Sequence, residues 1–328
     1  MRSPLQHAAI LFLLAPITAH AQQTTPAQAI AMQQYLRTTP YIDLPPAQLI
    51  KSVKELNGLK LEPEDAAQLD TILQNTGETI SAQLPRVPNL LCREEIAEET
   101  QPTNTTVTSV RVAGIGANTD SRGGSTLQSP AVATSKFVRG DWRRYEYIIH
   151  STKEDDGSIT LEETREGTAP TAQKQAPHGT GFASLWTIFA AGNRSESTFR
   201  YLGTQKLDGR ATHVIAFAQI PDKVRKPAQL NIGAGTIPLL YQGFAWVDAE
   251  NFHILRLRTD LRAPLPELNL KRITSTIDYS KVTIEQFPEP LWLTKQVEIL
   301  WQTTQAEGGE LHRYSKYQLF HATVKILP

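Results

Sequence analysis

The sequence is poor in cysteine, with one thiol, Cys92, in 328 residues. A lone cysteine forms no internal disulfide, so the fold relies on its packed core. It also has no excess charge, with 33 Lys and Arg against 33 Asp and Glu. That balance excludes the broad electrostatic footprint used on nucleic acid or on an anionic membrane surface. After the first 21 residues no segment is apolar enough for a membrane helix, which needs about 20 apolar residues. The chemistry-bearing motifs are missing too: no HExxH, no paired cysteines, no GxSxG elbow and no SxxK–SDN–KTG set. Gly114 and Gly116 lack the third glycine and strand-to-helix context of a nucleotide site, and Gly233 and Gly235 lack the P-loop lysine. Both pairs read as loops. The sequence therefore assigns no catalytic residue, cofactor or metal ligand, and ligand-binding residues stay unknown.

What is present begins with an export signal. Arg2 gives a short positive start, residues 8–15 form an apolar run, and Ala19 and Ala21 supply small residues at the positions a signal peptidase reads. Cleavage after Ala21 places the mature chain in the periplasm or outside the cell, with Gln22 first. Residues 22–44 read as a flexible leader or a short helix, rich in Gln, Thr and Ala. Residues 45–88 form a helical region. Leu49, Ile50, Val53 and Leu56 recur at helical spacing before Gly58, and a second stripe through Leu69, Ile72, Leu73, Ile80 and Leu84 ends at Pro85 and Pro88.

From Asn89 onward the period changes to that of strands broken by turn residues, so residues 89–328 read as an antiparallel β domain. Residues 105–112 are a Thr- and Val-rich strand candidate, followed by a Gly/Ser/Thr loop over 113–129. Arg143, Tyr145, Tyr147 and Ile149 share one face of a long strand, and Asp155–Gly157 turns it into a hairpin. Further hairpins turn at Asp208–Gly209 and at Asp248–Asn251. A final meander turns at residues 287–290 and 307–309. Residues 182–191 are the exception, dense enough in apolar side chains for a short buried helix. The class is α+β, mainly β: a large antiparallel sheet that curls, with the N-terminal helices and the 182–191 segment covering its concave face.

The order Phe199–Arg210 (FRYLGTQKLDGR), His213–Phe217, Gly243–Ala249 (GFAWVDA) and His253–Leu257 resembles the repeated pattern of the outer-membrane lipoprotein-sorting (LolA-like) superfamily. The stretch from Leu90 to Ile96 looks like the first sheet strand of uncharacterised exported bacterial proteins, a likeness that implies no function. The resemblance covers roughly residues 198–303 and implies an incomplete β-barrel whose concave apolar face receives acyl chains. It transfers no ligand-contacting residue to a numbered position, because Asp208, Gly209 and Asp248 are hairpin chemistry.

The remaining candidates have structural readings. Cys92 reads as a small buried apolar residue. His213 shares a strand face with Ile215 and Phe217, as a satisfied sheet histidine. His312 and His321 fall on opposite faces of one strand and cannot share a metal. In the acidic stretch, Glu95 and Glu99 occupy one strand face and Glu94 and Glu98 the other. Such pairs can serve glycoside hydrolysis or calcium, but read first as a solvated face. Arg143, Arg144, Tyr145 and Tyr147 read as cross-strand pairs. Trp142, Trp186, Trp246, Trp292 and Trp301 are candidates to line a carbohydrate or lipid groove. The expectation is an exported non-enzymatic protein that binds a lipid, acyl chain or lipoprotein. The alternatives are an envelope protein–protein interaction module and an exported hydrolase.

Overall fold

The computed structural model describes residues 25–102, 142–155, 157–167, 181–232 and 235–320. The export signal, the 105–112 strand, the 113–129 loop with Gly114 and Gly116, Gly233, His178 and His321 lie outside them.

Three α-helices lie within residues 25–83. Helix α1 (Pro26–Arg37) starts from a capping box, in which the Thr25 hydroxyl accepts from the Gln28 amide while Gln28 accepts from Thr25 N. Of the two readings for residues 22–44, the short helix is the one that forms over 26–37. Helix α2 (Pro46–Ser52) breaks at Val53 into a 3-10 turn over Lys54–Leu56. Helix α3 (Ala66–Gln83) is capped by Asp65, whose carboxylate accepts from the amides of Ala67 and Gln68.

The strands are β1 (Lys60–Leu61), β2 (Leu90–Pro102), β3 (Arg143–Lys153), β4 (Ile159–Gly167), β5 (Ser197–Leu207), β6 (Arg210–Gln219), β7 (Ala228–Ile232), β8 (Gly235–Leu239), β9 (Tyr241–Asp248), β10 (Ile254–Leu261), β11 (Leu270–Val282), β12 (Leu291–Thr303) and β13 (Ala306–Leu319). Eleven of them form one antiparallel sheet in the order β1-β5-β6-β9-β10-β11-β12-β13-β2-β3-β4, while β7 and β8 make a separate hairpin. The edge strands β1 and β4 do not pair with each other, so the sheet stays open.

Local chemistry accounts for the turns. Asp208 and Gly209 both have positive φ, +49° and +84°, as a two-residue hairpin with matching twist requires. Asp248 accepts from the amides of Glu250 and Asn251 to close the next hairpin. The turn expected at 307–309 lies earlier. The Thr303 hydroxyl accepts from the amides of Gln305 and Ala306, and Gly308 and Gly309 are already in β13, opposite Trp301 and Leu300. A side-chain-to-backbone turn has outcompeted the glycine signal.

The curvature follows from a short segment. The Glu163 carboxylate on β4 accepts from Gly181 N, and eight residues later Phe189 packs on Phe199 of β5 at 5.2 Å. These strands are nine spacings apart in the sheet, roughly 43 Å if it were flat. Residues 181–189 are turns and a 3-10 helix over Leu185–Phe189, which advance only about 2 Å per residue, so the sheet must wrap around them.

The concave face packs Ile215, Phe217, Val247, Leu257, Ile277 and Val297 against α3 (Ile72, Leu73, Ile80) and against Phe182, Trp186 and Phe189. The helical region is divided between the faces. Leu49, Val53 and Leu56, with Ile42, cover the convex side of β5, β6 and β9 at Val214, Ala216, Phe244 and Trp246. Strand β6 is thus buried on both sides, which explains its unbroken apolar run from Val214 to Ala218. The convex layer is held by Asp260, which accepts from Arg258 twice, at 2.8 and 3.0 Å, and from the hydroxyls of Tyr41 and Thr274, each at 2.5 Å.

Candidate functional site

Glu94 is not on a solvated face. Its side chain is fully buried on the concave side, in line with Leu90, Cys92 and Ile96. Glu95 and Glu98 of the acidic stretch form surface pairs, with Arg144 at 3.0 Å and Arg143 at 2.9 Å. Alternation placed Glu94 on its face correctly, but the identity of that face depends on what packs there. Arg165 of β4 reaches across the Tyr145 and Tyr147 rings and donates twice to Glu94, once from Nε and once from Nη2 at 2.8 Å. On the other side His312 Nδ1 lies 2.8 Å from Glu94 Oε1, and His312 Nε2 lies 2.9 Å from Glu310 Oε2.

A carboxylate can only accept, so a ring held between two of them donates from both nitrogens and is an imidazolium. Burial alone would lower the His312 pKa, but its hydrogen bonds to Glu310 and Glu94 raise it above the ordinary value. Burial likewise works to raise Glu94, yet the bonds from His312 and Arg165 hold it below the usual carboxylate value. The result is a line of alternating charge, Arg165, Glu94, His312, Glu310, that runs from β4 to β13 inside a nonpolar wall. Both His312 nitrogens are engaged by carboxylates, so the ring has no nitrogen left to activate a serine or cysteine. The two carboxylates also lie off different ring atoms and do not converge on a point, and no metal-binding cluster occurs among the described residues.

A second carboxylate fixes the segment that crosses this wall. Glu163 accepts from the Tyr147 hydroxyl and from the amides of Gly181 at 2.5 Å and Ala183 at 2.7 Å. Burial raises its pKa despite these donors. Tyr279 donates to Phe182 O at 3.1 Å, and the Phe182 ring lies edge-on to His312 at 5.8 Å.

Beside the segment the described residues leave the concave face unfilled. A cavity of about 840 Å³ lies between residues 181–197, the β7–β8 hairpin and the ends of β11, β12 and β13. Leu185, Ile188, Leu230, Ile273, Ile299 and Trp301 give it an apolar lining. Its charged lining residues among those described are Glu196, Lys226 and Glu310. Glu196 is paired with Arg225 at 2.5 Å, and Lys226 is exposed at the rim. Glu310, with 19% of its side chain exposed, and Glu196, with 12%, are both largely shielded from solvent.

The other candidates disperse. Cys92 is buried and its thiol pKa is raised by burial. His213 lies 3.4 Å from the Tyr201 hydroxyl. Trp246 packs on the convex face, Trp292 stacks on His253 at 4.7 Å, and Trp142 lies under Arg313 at 4.6 Å. Of the five tryptophans only Trp301 lines the large cavity, so they form no continuous aromatic groove.

No family model matches the chain, and no curated protein matches it. Two solved structures are among those to which the chain is similar. One is a DUF1329 family protein from Desulfovibrio piger ATCC 29098, 8% identical, with a TM-score of 0.37 over 76% of this chain and 92% of that one. The other is a putative outer membrane lipoprotein-sorting protein domain from Vibrio parahaemolyticus, 12% identical, with a TM-score of 0.32 over 75% and 90%. No helix among the described residues is long and apolar enough to cross a membrane.

Proposed function

We propose that this is an exported carrier or sensor that holds an apolar ligand, such as an acyl chain, in the cavity on the concave face of its sheet. The cavity carries the reading. At about 840 Å³ it falls within the roughly 300–1,000 Å³ usual for small-molecule sites, and it has the apolar lining with a few polar groups that such sites share. Its walls come from elements fixed elsewhere. The 181–189 segment is tied down by Glu163 and Tyr279, and the sheet by its own ladder. Export is supported by the arrangement of the first 21 residues.

The test is native mass spectrometry of the mature chain, together with displacement of an environment-sensitive apolar dye. The dye should bind at one site and be displaced by single-chain amphiphiles. Ser275→Phe and Leu185→Trp, which push bulk into the cavity from opposite walls, should each reduce dye binding without changing the far-UV circular dichroism. A dye that does not bind, or that binds both filled variants as well as the parent, rules the reading out.

A further inference from the structure

We infer that the cavity takes an amphiphile with a carboxylate head, held at the paired Ser197 and Gln219 with Lys226 at the rim beside them. The inference rests on the ligand-binding reading and adds the head-group class to it.

Three observations carry it. Ser197 and Gln219 are register partners at the end of the β5–β6 ladder, and both line the cavity. They are only 7% and 8% exposed, so what they bond must come from the protein or from the cavity. Gln219 Oε1 accepts from Tyr241 N at 2.8 Å, which fixes the amide and makes its other end the Nε2 donor. That donor has no acceptor among the described residues. The buried Ser197 hydroxyl has no hydrogen-bond partner among them either. Two shielded donors without acceptors, side by side in an apolar wall, are costly, and an oxygen-bearing head group supplies what they lack.

The other two observations concern charge. Each anion in the described lining is answered by a cation, Glu196 by Arg225 at 2.5 Å and Glu310 by His312 at 2.9 Å. Lys226 lines the same cavity and has no ion-pair partner among the described residues. Its place follows from its neighbours. Glu196 precedes Ser197 and Arg225 precedes Lys226, so the Glu196–Arg225 bond brings Lys226 to the end of the cavity that holds Ser197 and Gln219. Neutral donors beside an unpaired ammonium suit a carboxylate, which only accepts and gains most from a charged donor. An ammonium head would meet Lys226 as a like charge, and an alcohol head would gain the donors without the charge.

The experiment compares three probes of equal chain length on the full mature protein at neutral pH: dodecanoate, dodecanol and dodecylamine. Titration calorimetry should give dodecanoate an affinity at least about tenfold above dodecylamine, with dodecanol between. Lys226→Glu, a change at an exposed side chain, should collapse the carboxylate-to-amine ratio while leaving dodecanol unchanged. Gln219→Glu keeps an acceptor for Tyr241 N but replaces the free donor, and should weaken dodecanoate more than dodecanol. Raising the salt should narrow the parent's carboxylate-to-alcohol ratio, because the Lys226 charge is at the rim. Equal or tighter binding of dodecylamine by the parent protein overturns the inference, and this comparison does not depend on any variant folding. A preference for dodecanoate that survives Lys226→Glu overturns it as well. Binding of all three probes without discrimination rejects the head-group site and leaves the cavity reading standing, whereas binding of none rejects both.

Discussion

His312 Nδ1 lies 2.8 Å from Glu94 Oε1, and neither side chain is exposed. The two residues are 218 positions apart in sequence. They meet because β2 pairs with β13, in a register that sets Ile96 opposite His312 and Glu94 opposite Tyr314. Charge buried this deeply gives little net stability as a whole, but removing one member leaves the others uncompensated.

Glu94→Leu should therefore destabilise the protein by about 3–5 kcal/mol, since Arg165 and His312 both lose their shared anion. Adding Arg165→Met removes the stranded cation, so the double variant should be less destabilised than the sum of the two single variants. Urea denaturation of all four proteins checks this. Strict additivity would show that the pair is not coupled.

The pH dependence of stability should have two separable limbs. The raised pKa of His312 gives a contribution that is complete below the ordinary value of 6.5 and is lost as pH rises through the folded value. Burial lowers His253 from 6.5 to about 4, so it stays neutral in the fold, and its contribution is lost as pH falls from 6.5 toward 4. Glu94, held below 4.5, adds to the acid limb at still lower pH. Denaturation between pH 4 and 9 should show His312→Gln flattening the alkaline side and His253→Gln flattening the acid side. An alkaline limb unchanged in His312→Gln would contradict the imidazolium.

Gly203 should not tolerate a side chain. Its φ is +135°, and a Cβ there would meet Lys60 O at 2.0 Å and Glu62 N at 2.9 Å. It lies where β5 shifts register and where the two-residue β1 joins the sheet. Gly203→Ala should cost roughly 1–3 kcal/mol, from strain in a disfavoured backbone region and loss of the β1 pairing. Hydrogen exchange should show faster exchange at the amide of Glu62, which bonds to Leu202 O at 3.2 Å. Unchanged protection there would mean that the contact relaxes without cost.

The chain isolated from an expressing bacterium's periplasm should begin at Gln22, read by intact mass and N-terminal sequencing. Recovery of a chain that still carries Met1 from that fraction would reject cleavage after Ala21.

The sequence by itself determined the elements that depend on neighbours along the chain. The Asp208–Gly209 turn, the Asp248 turn and the stripes on α2 and α3 are local chemistry, and they are where the residues place them. It also set the class, a large antiparallel sheet preceded by helices, because alternation and turn spacing are short-range signals. The turn at 303–306 was hidden by Gly308 and Gly309, since a glycine marks freedom of the backbone and not its use. Only the tertiary structure decided which strand face is inside. The alternation that separates Glu94 from Glu95 is symmetric, and the pairing of β2 with β13, together with the 181–189 segment laid over it, made one face core and the other surface. The same long-range pairing put Arg165, Glu94, His312 and Glu310 in one line and left Trp301 beside Glu310 at the cavity. The physical reason is that a buried charge becomes tolerable only when its partners arrive from other strands, and no spacing along the chain records which strands will meet.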